Sequence, residues 1–153
     1  MSTLEPILRE HPFLKGMTPE HLAVLAGCAT NVRFEAGDFL QKEGDEANHW
    51  YLMRSGHVVL EVDVPGRGPV QVGSLGEEDV IGWSWLVEPY VWHFDARAVT
   101  VTRVISLDGK CLRTKCENDH DLGYELMKRF LHVVQQRLFW SRVQLLDIYK
   151  SHS

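Results

Sequence analysis

Between residues 32 and 75 the chain is cut by glycine-centred turns about every ten residues, and the gaps have room for little except short antiparallel strands. The turns read Ala36-Gly37-Asp38, Glu43-Gly44-Asp45, Arg54-Ser55-Gly56 and Pro65-Gly66-Arg67-Gly68, the last a hairpin loop. Glycine suits such turns because it accepts positive φ without a steric cost. Between them lie Val32, Phe34, Phe39 and Leu40 among polar neighbours, then the apolar runs 50–53, 58–64 and 70–75. This succession predicts a small antiparallel barrel or jelly roll.

The stretch 80–99, VIGWSWLVEPYVWHFDARAV, departs from that simple rhythm. It opens with strand-like Val80-Ile81 and Gly82, then gathers Trp83, Trp85, Tyr90 and Trp92 around Pro89, and returns to a strand pattern at Phe94. A turn with this much ring surface is expected to be buried or to grip a ligand.

Composition narrows the class. A chain of 153 residues fits one domain with a real core, and 44% apolar with 24% charged residues is ordinary for a globular protein. No apolar run reaches the roughly 18 residues of a membrane span, and the first residues lack the pattern of a signal peptide. A net charge of −5 argues against a nucleic-acid surface. Cys28, Cys111 and Cys116 are too few for a disulfide framework, and their odd number points to a reducing, cytoplasmic setting. Their spacing predicts no metal site.

Helices flank the strand region. Pro6 suits a first helical turn, and Pro12-Phe13 breaks that helix. Thr18-Pro19-Glu20 reads as an N-cap with proline at the first helical position. Leu22, Leu25, Ala26 and Ala29 then recur at helical spacing as far as Asn31.

These segments carry a resemblance. Phe13, Leu22, Leu25, Gly37, Leu40, Glu43-Gly44-Asp45, Tyr51, Gly56 and Val58 stand at the spacing of the cyclic-nucleotide-binding domain of the Crp/Fnr type, and the likeness runs from about His11 to Leu112. The resemblance implies a mainly β fold with flanking helices: a double-stranded, jelly-roll-like β-roll, a ligand pocket inside it, and a long C-terminal helix. It divides the chain into a binding-like domain over 1–116 and a dimerisation helix over 117–150.

In nucleotide-binding members of the family, a glutamate in the pocket turn holds the ribose and an arginine forks onto the cyclic phosphate. Here Ile81-Gly82 and Leu86 match the turn, but Trp83 stands at the glutamate position and Trp92 at the arginine position. Strand alternation puts Trp92, Phe94, Ala96 and Ala98 on one face and turns Arg97 outward, toward Asp95 or another acidic neighbour. Three readings stay open. The tryptophans fill the cavity and leave a ligand-free scaffold. Alternatively Gly82, Trp83, Ser84, Trp85, Trp92 and His93 line a re-tooled pocket for a flat, apolar or anionic ligand. In the third reading, backbone N–H groups from Gly82 to Trp85 still hold a cyclic nucleotide.

Other chemistries find little support. Haem, bound by some relatives, would need an axial ligand such as His57 or His93, and neither has a partner at useful spacing. No four-cysteine set exists for an iron–sulfur cluster. Ser55, His57 and Ser84 belong to no triad or nucleophile elbow, so no enzyme is expected. The ligand remains unidentified.

The C-terminal third reads as one helix capped by Asn118 or Asp119. Leu122, Leu126, Phe130, Val133, Arg137, Trp140, Gln144 and Ile148 trace one row; Met127, Leu131, Val134, Leu138 and Leu145 trace a second. So wide an apolar surface predicts a homodimer through Leu126, Phe130, Val133, Leu138 and Trp140, with Arg137 and Arg142 near its axis. Only four residues follow Tyr149, so no recognition helix and no direct DNA binding are expected.

Overall fold

Among the described residues, 4–151 of the computed structural model, eight strands form two four-stranded antiparallel sheets. They are β1 (Ala29–Phe34), β2 (Phe39–Gln41), β3 (His49–Ser55), β4 (Val58–Val64), β5 (Gly68–Leu75), β6 (Val80–Ile81), β7 (Asp95–Ala98) and β8 (Thr102–Asp108). One sheet runs β1-β8-β3-β6 and the other β2-β7-β4-β5. This is the expected β-roll. Helices α1 (Glu5–Glu10) and α2 (Pro19–Gly27) precede it; α3 (Gly109–Asn118) and α4 (His120–Ser151) follow it.

One local reading needs correction. Ala29 and Asn31 belong to β1, not to α2, which ends at Gly27. Pairing of β1 with β8 recruits them: Ala29 faces Leu107 and Asn31 faces Ile105. The boundary placed after residue 116 falls inside α3, which sequence periodicity did not reveal. The caps hold: the Thr18 hydroxyl accepts from the His21 N–H, and the Asp119 carboxylate accepts from the Leu122 N–H.

The same register overturns the cysteine reading. Cys28 precedes β1 and Cys111 follows β8, so the antiparallel pairing brings together residues 83 apart in sequence. The Asp108 N–H donates to the Cys28 carbonyl, the Cα atoms of the two cysteines lie 6.1 Å apart, and a disulfide joins them. Cys116 remains a thiol, and burial pushes its pKa up to about 11.

Strand alternation divides the interior into two cores. On β3, Tyr51 and Met53 point between the sheets, where they meet Val58, Ile81, Ala96, Ala98 and Val104. Trp50 and Leu52 point the other way, onto the helices, with Ile105 and Leu107 of β8. Leu8, Leu25, Leu112, Leu122, Leu126 and Phe130 cover that second face. The roots of α4 and the roll therefore share one core.

His11 pins α1 to this assembly. Its Nδ1 accepts from the Phe13 N–H at 3.2 Å, which leaves Nε2–H to donate to the Met53 carbonyl at 3.1 Å. Burial lowers its pKa below the ordinary 6.5. The unfolded chain therefore takes up the proton first, and stability should fall as pH drops below 6.5 toward the folded-state value. Melting temperatures across this range should decline for the parent protein and decline less for His11→Asn. Equal slopes would remove His11 as the cause.

Candidate functional site

The site begins where β6 ends. Val80 and Ile81 pair with Leu52 and Tyr51, and the chain then turns at Gly82 with φ of +92°. Trp83 leads into a short 3-10 turn at Ser84–Leu86. Trp92 returns above Gly82, held by backbone bonds in which the Trp92 N–H donates to the Asp45 carbonyl and the Gly44 N–H donates to the Trp92 carbonyl. A Cβ on Gly82 would stand 2.5 Å from the Trp92 ring. Gly82 thus serves both the left-handed turn and the seat of an indole.

Trp92 is buried in the helix-side core, the cluster that also holds Ala47, Val80 and Trp85. Beside the turn lies a cavity of about 40 Å³, bordered by Gln41, Gly82, Trp83, Ser84, Trp92, His93 and Phe94 among others. That is far below the roughly 300 Å³ at which small-molecule pockets begin. The cavity also lacks a cation of its own strand. Arg97 points outward, where its Nε donates to Glu61 Oε1 at 3.0 Å and its Nη2 to Oε2 at 3.4 Å. The ion pair raises the guanidinium pKa further. Asp95 instead accepts from the Glu43 N–H at 2.8 Å.

The six candidate residues separate. Gly82, Trp83, Ser84, Trp92 and His93 surround the small cavity, with His93 exposed at its rim. Trp85 does not join them. It is fully buried on the helix side, stacked on Trp50 with centroids 5.4 Å apart and planes 6° from parallel. The 3-10 turn sets consecutive side chains on different faces, which simple alternation did not anticipate. His57 is exposed in the turn between β3 and β4.

The helix surface also sorts itself. Leu126 and Phe130, expected at a dimer interface, are buried within the chain. Phe130 meets Trp50 at 5.0 Å and Trp85 at 5.8 Å, both edge to face, and Phe13 at 4.8 Å. Val133 packs against the same core. Leu138 and Trp140 are exposed. Beyond Phe130, α4 and the roll diverge around an open cleft of about 1060 Å³, with Leu60, Val72 and Trp83 on one wall and Val133, Arg137 and Trp140 on the other.

Sequence reasoning missed Arg113 and did not place Arg137 against the roll. Arg113 of α3 donates to the Trp85 carbonyl at 2.6 Å and lies 4.3 Å from the Tyr90 ring centre, so it fastens the pocket turn from below. Arg137 reaches from α4 to the end of β6, donates to the Val80 carbonyl, and covers the Trp83 ring with its guanidinium carbon 5.0 Å from the centroid. Burial pushes its pKa down to about 10, opposed by the charge of Asp79. The available signal was a cation inside the row that otherwise buries Leu126, Phe130 and Val133.

Among the described residues, no group of three or more His, Cys, Asp or Glu is placed to hold a metal, and no helix is long and apolar enough to cross a membrane.

A family profile described as the cyclic nucleotide-binding domain matches residues 31–119. A CRP-like cAMP-activated global transcriptional regulator of Mycobacterium tuberculosis is 23% identical over 145 residues, which cover 95% of this chain and 63% of that regulator. The chain thus spans less than two thirds of its curated relative. A solved structure from Geobacter metallireducens GS-15, described as a candidate cyclic nucleotide-binding protein, is 30% identical with a TM-score of 0.81, covering 90% of this chain and 99% of that one. A cyclic nucleotide-binding domain from Methylobacillus flagellatus KT has a TM-score of 0.78 at 19% identity, covering 94% of this chain and 81% of its own.

Proposed function

The chain belongs to the cyclic nucleotide-binding domain family, and from that premise we propose that it is a regulatory ligand-binding module that has given up cyclic nucleotides. The observation that carries this reading is the pocket itself. The cavity beside Gly82 measures only about 40 Å³, and Trp83 and Trp92 stand where the family's ribose and phosphate ligands are expected. Losing one charge-assisted bond to a phosphate costs on the order of 1.5–3 kcal/mol, and here two polar anchors are replaced. Space for a different ligand lies beside the old pocket, in the cleft between the roll and α4. A ligand there would touch both the pocket turn and the helix, and so bias the position of the helix. Titration calorimetry with cAMP and cGMP should give no saturable heat at micromolar concentrations. A low-micromolar dissociation constant for either would overturn the reading.

The output of such a module is the distal helix. α4 has 32 residues and runs about 48 Å at 1.5 Å per residue, beyond the reach of the roll. Leu122, Leu126 and Phe130 of its first row are buried in the chain, whereas Met127, Leu131, Leu138 and Leu145 of the second row are all exposed. Three of these recur every seven residues, the spacing of a two-stranded coiled coil. We infer a two-fold dimer through this second row. Leu138→Asp should convert the dimer to a monomer in sedimentation at micromolar concentration and leave the circular dichroism of the roll unchanged. A parent protein that sediments as a monomer would exclude the dimer.

A further inference from the structure

We propose that Arg137 is the anion-recognition group of this domain, and that the cleft beside it takes an aromatic carboxylate whose ring lies against the apolar wall. The inference deepens the reading that the ligand sits in the cleft and names its chemistry.

Arg137 borders both the small cavity and the cleft. A guanidinium offers five N–H donors, yet among the described residues its one hydrogen-bond acceptor is the Val80 carbonyl. No carboxylate lies within ion-pair distance of it among those residues. The nearest acidic group acting on it is Asp79, whose carboxylate already accepts from the Gly76 N–H at 2.8 Å. Arg33, Arg97 and Arg129, by contrast, each face a glutamate. A half-buried cation without a counter-ion is uncommon, because its desolvation is left uncompensated.

The surroundings select the rest of the ligand. Trp83 stacks on one face of the guanidinium and holds it in place, which leaves the edge of the fork for a bidentate acceptor. Leu60, Val72 and Val133 supply apolar walls on either side. A planar body with one carboxylate would satisfy the fork at one end and bury its ring at the other. The charge comes from α4, so the helix itself would be held by the ligand, whereas an arginine on the roll would not report to it.

The test uses 1-naphthoate and its neutral counterpart 1-naphthalenemethanol, each titrated calorimetrically into the intact protein. Naphthoate should bind about 10-fold or more tightly than the alcohol, the range set by one charge-assisted contact. Arg137→Gln should erase that preference, and Arg142→Gln, at an exposed position further along α4, should retain it. In the unmutated protein the Arg137 Nε–H resonance, identified by its loss in Arg137→Lys, should shift on adding naphthoate. That signal decides the matter even if the glutamine variant fails to fold. Absent binding, equal affinity for acid and alcohol, or an unmoved resonance would each overturn the assignment. Adding cAMP to the same samples separates the two readings. Tight cAMP binding overturns the loss of cyclic nucleotides, whereas a failed naphthoate test with cAMP still silent overturns the role of Arg137 alone.

Discussion

Phe130→Ala should lower stability by about 3–5 kcal/mol, the usual cost of deleting a buried aromatic ring. The ring is 3% exposed and lies at the centre of the contact between α4 and the roll. It meets Phe13, Trp50 and Trp85 at once, and these three come from the N-terminal segment, β3 and the pocket turn. Its loss would leave a cavity that the stacked indoles, themselves fully buried, have little freedom to fill. The second expected effect is local. Amide exchange should quicken along α4 well before it does in β3 and β8, because the sheets keep their own core between them. Urea titration supplies the stability and hydrogen exchange supplies the location. Uniform loss of protection through sheets and helix would mean that the two cores unfold as a single unit.

Gly82→Ala should be nearly as damaging, and its effect should depend on Trp92. The residue has φ of +92°, which costs an L side chain about 1–3 kcal/mol. The new Cβ would also stand 2.5 Å from the indole, whose backbone is tied to the Gly44-Asp45 turn and cannot retreat freely. Trp92→Ala removes a large buried ring and should cost about 3–5 kcal/mol by itself. In the double variant the steric overlap disappears while the backbone strain remains. The combined loss should therefore fall short of the sum by about 1–3 kcal/mol, as expected for residues in direct contact. A double-mutant cycle in urea measures this difference. Strict additivity would show that Gly82 is required only for its backbone.

Phe130 packs against Trp85 of the pocket turn, and Gly82 and Trp92 bound it. In this chain Trp92 seats its ring over Gly82 and joins the helix-side core, Trp85 ties the turn to the same core, and Trp83 presents its face to Arg137 of α4. The turn is therefore a mechanical joint between roll and helix.

Much of this was legible before folding. Glycine turns and alternating runs placed the strands, because backbone sterics and period-two burial act over a few residues. Thr18 and Asp119 marked helix starts for the same local reason. Alternation also turned Arg97 outward, where Glu61 meets it. Periodicity assigns a side chain to a face, but it does not say what covers that face. Only the pairing of β1 with β8 brought Cys28 to Cys111. Only the docking of α4 separated Phe130, buried by the roll, from Leu138, left exposed on the next row. Arg137 shows the limit most clearly: its row put it on the apolar face of the helix, and the sequence expectation set it near a dimer axis. The outcome depended on a tryptophan face and a strand-end carbonyl more than fifty residues earlier in the chain, a long-range coincidence that tertiary structure alone creates.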